Sequence, residues 1–330
     1  ENHLSEIWED NNACADSLTV GYATLTAVIH DAGHAVVAAT PISATIYAHT
    51  TVSDPVGLLP TGVVTLTLHD NATCTGAPLT QVQSLVNGIA EFNTMEARSF
   101  YYQVHYSGDA THIPLTSTCT LFSAYQPGPT FTVNTTVDDM VDDVCSDIHC
   151  TLRDAINAAN DTLGDNTILF AVGDDQTLTL TAALPGVSAL NGALTVDGEH
   201  HALTISGGSL YRVFKVNSNA QVTLTHLTIA YGRDASGDCG GASCGGGLKI
   251  ESGASVTLTH SAILSSTANL GGGILNQGSL RMTHSALAGN AADQYGGGIL
   301  NRGVLTVENS TLSGNAANGT GASDGGGALY

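Results

Sequence analysis

Apolar and polar residues alternate with period two along much of the chain. VVTLTLHD (63–70) and SFYYQVHY (99–106) place every second side chain on one apolar face, the pattern of a half-buried strand. LLPTG (58–62), VNG (86–88) and SGD (107–109) separate such runs with turn residues. Residues 21–125 therefore read as an all-β sandwich. Tyr106, Gly108 and Asp109 read as a turn that positions a strand, not as a site. The period then changes. In TLRDAINAAN, Leu152, Ile156 and Ala159 recur at helical spacing, and Thr151 with Asp154 has the spacing of a capping box. One short helix is predicted inside a linking segment, 126–165.

From residue 166 onward a longer repeat overlies the alternation. Gly-Gly-Gly recurs at 245–247, 271–273, 296–298 and 325–327. VTLTHLTI (222–229), VTLTHSAI (256–263), LRMTHSAL (280–287) and LTVENSTL (305–312) align between these marks. Leu224, Leu258, Met282 and Val307 fall at one position, and Ile229, Ile263, Leu287 and Leu312 at another. Thr223, Thr257, Arg281 and Thr306 alternate with them and point outward. Repeats of this length without helical periodicity predict the coils of a parallel β-helix over 166–330, each burying its neighbour's apolar face. Rungs lie only ~4.8 Å apart. Three glycines permit positive φ and close backbone approach at one corner. Asn276 aligns with Asn301, and Asn290 with Asn315, as ladders of stacked amides. His226, His260, His284 and Asn309 form a further row. Such a row could also hold Zn²⁺ or Cu²⁺. An Asn completes it, however, and no carboxylate stands out as an orienting partner, so stacking is the expectation.

Composition narrows the function classes. Eight Lys and Arg against 29 Asp and Glu leave a formal net charge of −21, which disfavours nucleic acid and anionic lipid as partners. No run of about 18 apolar residues is present, so no membrane insertion is expected from a helix. The opening ENHLSEIWED has neither a basic nor an apolar signal region, and the chain reads as the mature form or a segment of a longer protein. Cys145 with Cys150 and Cys239 with Cys244 are each five apart, Cys74 and Cys119 flank a strand-rich stretch, and Cys14 is left over. Reduced thiols or a metal are the alternatives. Without a second pair at zinc-finger spacing, disulfides and a secreted, extracellular setting are the expectation. Asn-X-Ser/Thr sequons at Asn71, Asn134, Asn160, Asn309 and Asn318 fit a secreted glycoprotein. The run Asp138, Asp139, Asp142, Asp143 and Asp147 could take Ca²⁺ but lacks EF-hand spacing. It reads as a solvated acidic loop with no cofactor.

Several segments also resemble known families. HDAGHAVV (30–37), PTGVVTLTLHDNATCTGAPL (60–79), LVNGIAEF (85–92), YQVHYSGDATH (102–112) and STC (117–119) resemble the bacterial Ig-like repeats of large surface proteins. NNACADSLTV (11–20) is similar to the closing segment of a preceding repeat, so residues 1–20 are expected to end such a repeat. The resemblance implies that Cys14 pairs with a cysteine before Glu1; an intermolecular bridge is the alternative. CTLRDAINAAN (150–160) resembles the Cys-Ser-Leu-Arg-Glu-Ala-Ile segment leading bacterial secreted β-helices, with Thr151 and Asp154 in place of the usual Ser and Glu. That likeness implies a helix capping the first coil of a right-handed helix. The GGGI-N-G and S-x-L-S/A-GN repeats are similar to those of polymorphic outer membrane proteins and related adhesins, and GGGALY (325–330) reads as the start of a further coil.

Three function classes follow. The expected one is a non-catalytic cell-surface structural or adhesive protein, a stalk plus β-helix. It would self-associate head to tail into a filament, or bind a cell-surface or glycan receptor. A polysaccharide lyase or hydrolase is the second. It needs clustered cations or paired carboxylates, whereas Arg212, Lys215, Arg233, Lys249, Arg281 and Arg302 are scattered along the sequence. A passive glycan- or ice-binding face is the third. Thr177-Leu-Thr179, Thr223-Leu-Thr225 and Thr257-Leu-Thr259 suggest it, but the row breaks at Arg281 and Glu308.

Overall fold

The computed structural model describes residues 23–55, 57–126, 128–139, 144–188, 192–199, 201–234, 236–319 and 325–330. Cys14, and with it the reading of residues 1–20, lies outside them. The described residues are all-β apart from one helix, and the chain divides into two compact units.

Among the described residues the first unit covers 23–38 and 44–122. It is built of antiparallel sheets. Thr24–Asp31 pairs with Thr45–Ser53, and Val63–His69 lies between Leu79–Ser84 and Phe100–Tyr106. Alternation produces the core directly: in Val63–His69, Val64, Leu66 and Leu68 are buried, and in Phe100–Tyr106, Phe100, Tyr102, Val104 and Tyr106 are. Cys74 and Cys119 are bridged. The SGD turn does position a strand. Asp109 accepts from the backbone N–H of Thr61 (2.7 Å), Thr111 (2.8 Å) and His112 (2.8 Å). His112, with its side chain fully buried, lies between two carboxylates, Asp109 at 2.8 Å and Asp54 at 3.2 Å. Burial opposes charge on both partners. The hydrogen bonds win, holding the Asp109 carboxyl well below its usual range and raising the His112 imidazolium above its own. Burial, reinforced by Asp109, pushes the Tyr106 phenol up to about 12. The signs give a pH window. A raised His112 stabilises the fold fully below its unfolded value and loses that share as pH rises through the folded value. A depressed Asp109 contributes above its unfolded value and is lost as acid protonates it. Thermal unfolding is therefore expected to show the first unit more stable at pH 6 than at pH 9 and weakening again below pH 4. A His112→Gln variant is expected to lose the alkaline part alone, and an unchanged alkaline slope in that variant would refute the assignment.

The second unit, 39–43 and 123–330, contains a parallel β-solenoid whose described strands form four sheets. The first stacks Thr130–Val133, Asn166–Phe170, Ala193–Asp197, Gln221–Thr225, Ser255–Thr259, Ser279–Thr283 and Val304–Glu308. Its inner column runs Ile168, Val196, Leu224, Leu258, Met282, Val307, neighbour on neighbour. The second sheet gives Leu178, Ile205, Ile229, Ile263, Leu287, Leu312. The third gives Phe214, Leu248, Ile274, Ile299. The fourth has three strands, Thr267–Leu270, Ala291–Tyr295 and Ala316–Ala317. Coils before residue 221 carry no triple glycine, yet they stack in the same register.

The helix, α1 (Leu152–Asp161), has the expected capping box: the Thr151 hydroxyl accepts from the Asp154 N–H, and the Asp154 carboxylate accepts from the Thr151 N–H at 2.8 Å. Its apolar face, Leu152, Ala155, Ile156 and Ala159, is buried in the same core as Phe131, Val133 and Ile168. The adjoining loop is pinned by the Cys145–Cys150 disulfide. The third bridge joins Cys239 to Cys244. Three disulfides indicate an oxidising environment. Among the described residues no helix is long and apolar enough to cross a membrane.

The acidic run behaves differently from its sequence reading. Asp138 is buried, not solvated. Its carboxylate takes a two-pronged contact from Arg153 Nε (3.0 Å) and Nη2 (2.9 Å) and another from the Thr181 N–H (2.7 Å). Arg153 also donates to the carbonyls of Ala182 and Ala183. A helix arginine lies within reach because α1 packs on the first coils, a contact spacing does not reveal. Asp139 faces His149 at 3.4 Å, and Asp142 and Asp143 lie outside the described residues. The proposed Ca²⁺ loop thus loses Asp138 as a free ligand.

Each glycine of the triplet has its own reason. Gly271 sits at φ +61°. A Cβ on Gly272 would fall 2.2 Å from the Ala291 carbonyl oxygen, and one on Gly273 would fall 2.7 Å from that of Gly298. The next coil occupies the space a side chain needs. Gly272→Ala is expected to cost on the order of 3 kcal/mol, because the clash is with backbone that cannot rotate away. Urea unfolding of the solenoid measures it, and a loss under ~1 kcal/mol would contradict the tight corner.

Candidate functional site

The solenoid's polar residues collect at its corners. Between the first and second sheets the chain turns through His226, His260, His284 and Asn309, all left-handed, with φ of 55°, 46°, 47° and 48°. His and Asn both tolerate that conformation better than most residues. Rings of His226 and His260 stack at 5.4 Å, and those of His260 and His284 at 5.1 Å and 5°. Asn309 continues the row at 3.5 Å from His284 Nε2. Together with Glu199, Thr228 and Thr311 they line an open groove of about 700 Å³. The rings, with centroids 5.1–5.4 Å apart and planes inclined by 5–19°, form a stack along the axis. One sequence expectation is overturned: a carboxylate does orient the row. Asp197 Oδ1 lies 2.8 Å from His226 Nδ1. It was hidden because Asp197 belongs to the preceding coil, stacked directly on Thr225.

The corner also contains a ladder the sequence reading passed over. The Leu227 N–H donates to Ser261 Oγ (3.1 Å), the Ser261 N–H to Ser285 Oγ (3.2 Å), and the Ser285 N–H to Ser310 Oγ (3.1 Å). The serines aligned after His260, His284 and Asn309 are its visible signal. Asn290 and Asn315 occupy the next corner, with Asn290 Nδ2 donating to Asn315 Oδ1 at 3.0 Å and the Ser266 N–H donating to Asn290 Oδ1 at 2.9 Å. Asn276 donates to Asn301 Oδ1 at 2.7 Å. Outside, the threonine row is longer than the sequence suggested: Thr130, Thr167, Thr195, Thr223 and Thr257 stand in register before Arg281 breaks it. Arg281 pairs with Glu308 at 2.8 Å on the exposed face, an arrangement worth little.

Three of the six basic residues, Arg212, Lys215 and Lys249, gather in space. Lys215 stacks on Lys249 in adjacent strands, beside Arg212. A loop between Tyr231 and Gly245 returns carboxylates to them. Asp238 lies 2.9 Å from Arg212, 3.0 Å from Lys249 and 3.3 Å from Lys215. Asp234 meets Arg212 at 2.8 Å, and Glu251 meets Lys249 at 3.0 Å. Burial works against the Asp238 charge, but Arg212 and Lys249 hold its carboxyl well below the usual range. Three cations against three carboxylates leave the cluster neutral, with its donors already engaged. Its effect is to clamp the disulfide loop. Asp238→Ala would leave two stacked lysines and an arginine without their shared counter-charge. The expected loss is about 1 kcal/mol, because Asp238 is exposed and Asp234 and Glu251 still face Arg212 and Lys249, read by hydrogen exchange of residues 236–245.

The sequons divide. Asn134 is spent on the disulfide loop, donating to Ser146 and Asp147 and accepting from the Cys150 N–H at 2.8 Å. Asn160 binds Gly186 and Ser188. Asn71 folds its own turn, accepting from Thr73 and Thr75. Asn309 and Asn318 are exposed. A separate histidine cluster in the first unit was missed: His30 stacks on His49 at 5.1 Å, and Tyr47 hydrogen-bonds both His30 and His34. Burial, then His49 and His34, lowers the His30 pKa. Comparison with protein-family models, with curated proteins and with solved structures finds no match.

Proposed function

We propose that this chain belongs to a secreted cell-surface protein that acts as scaffold and adhesin rather than catalyst. In this reading an Ig-like sandwich carries a right-handed parallel β-helix with α1 as its cap, and the partner is a glycan-bearing cell-surface receptor. The observation that carries it is the self-satisfied chemistry of the solenoid. Its histidines stack on one another, its asparagines and serines bond along the axis, and its largest charge cluster is neutral. A polymer-cleaving site needs an unengaged base or acid beside substrate-binding cations, and the Arg212–Lys249 cluster offers its charges to its own loop instead. Three disulfides support extracellular life.

The test pairs binding with turnover. Purified protein is applied to cell surfaces and to uronate polymers, and new reducing or unsaturated ends are assayed alongside. Saturable binding without new ends is the expected result; catalytic release of fragments would replace this reading with the polysaccharide-enzyme one. Electron microscopy of the native secreted material separates single projections from head-to-tail filaments.

A further inference from the structure

The clamped loop has a second face. There, Arg233, Ser243, Thr267, Asn269 and Asp293 line a half-enclosed polar pocket of about 320 Å³. We propose that this pocket binds a single carboxylated sugar unit, such as a terminal uronate or sialate; the inference deepens the adhesive reading by assigning its receptor a chemical class.

Arg233 is the reason to expect a carboxylate. The other basic residues around this loop are consumed: Arg212, Lys215 and Lys249 all pair with carboxylates. Among the described residues the Arg233 guanidinium has no ion pair or hydrogen bond, although its backbone is fixed by an N–H donated to the Tyr211 carbonyl at 2.9 Å. A free guanidinium in a concave wall presents a planar fork that matches a carboxylate with two parallel hydrogen bonds.

The opposite wall suits hydroxyls. Ser243 Oγ donates to Asn269 Oδ1 and accepts from the Asn269 N–H at 2.8 Å. With its carbonyl oxygen occupied, the Asn269 amide keeps its N–H₂ donors for a ligand. Asp293, exposed at the rim, is an acceptor for ring hydroxyls. Asp293 also argues against a doubly charged phosphate, as does the chain's net charge of −21. A volume near the lower end of small-molecule sites admits one sugar unit and not a polymer laid lengthwise.

The loop behind the pocket is tied down at several points. Asp234, at its base, accepts from the Cys244 N–H at 2.9 Å and from Arg212, and the Cys239–Cys244 bridge closes the loop. Preorganisation of this kind lowers the ordering cost of a weak, small ligand.

The test is an NMR and calorimetric titration of the whole chain with glucuronate, N-acetylneuraminate, glucose and inorganic phosphate. Both acidic sugars are expected to bind saturably, glucose and phosphate at least about tenfold more weakly, with the largest amide shifts at Ser243 and Asn269. Arg233→Gln is expected to weaken acid-sugar binding about tenfold or more, while Arg302→Gln, which removes an equal charge elsewhere, leaves it unchanged. The proposal is overturned by no saturable binding of either acid, by glucose or phosphate binding equally well, by shifts centred on the His226–His284 groove, or by an indifferent Arg233→Gln. Cell binding separates the two readings. A variant that adheres like the parent sinks this pocket and leaves adhesion standing; a parent that binds uronate but no cell surface does the reverse.

Discussion

Asp138→Ala is expected to destabilise the solenoid unit by about 3–5 kcal/mol, the cost of stranding one partner of a buried ion pair. Arg153 would keep its bonds to the Ala182 and Ala183 carbonyls but lose the carboxylate that neutralises it, and the Thr181 N–H would lose its acceptor. Both side chains are nearly inaccessible, so water cannot substitute. The damage should concentrate where α1 meets the first coils. Hydrogen exchange is expected to open residues 151–182 ahead of the later coils. The double variant Asp138→Ala/Arg153→Met is expected to recover much of the loss, because an apolar pair of similar volume leaves no buried charge. Failure of that rescue would show that packing, not charge, holds the junction. Ca²⁺ is expected to leave the melting temperature unchanged, since Asp138 is already committed.

Asn290→Ala is expected to cost about 3–5 kcal/mol by a different route. Asn290 is fully buried. Its Nδ2 donates to the Ile263 carbonyl at 2.9 Å and to Asn315 Oδ1, and its Oδ1 accepts from the Ser266 N–H. Truncation orphans two buried backbone groups at about 1–3 kcal/mol each and opens a small cavity. Asn301→Ala provides the contrast at about 1 kcal/mol, because Asn276 Nδ2 retains the Val304 carbonyl at 2.8 Å and the site is partly solvated. In a stack where each coil contacts only its neighbours, the coils beyond Asn290 should unfold first. Chemical denaturation of both variants checks the order. Equal losses would mean the two amide ladders are energetically alike, against the difference in burial.

Period and repeat alone determined a large part of this molecule. Alternation placed Leu66, Val104, Leu258 and Ile263 inside, because a strand's side chains switch faces every residue whatever surrounds them. The triple glycines and aligned asparagines marked corners, since a coil reuses the same turn at every rung. The capping box of α1 was legible because it lies within four residues.

What the tertiary structure alone decided are contacts between coils and loops far apart in sequence. Asp138 reaches Arg153 and Thr181, Asp197 reaches His226, and the 231–245 loop folds back to gather Arg212, Lys215 and Lys249. Coils of unequal length shift the spacing between such partners, so no fixed interval announces them. Spatial partnership, and with it which charges are spent and which, like Arg233, remain free, follows only once the rungs are stacked.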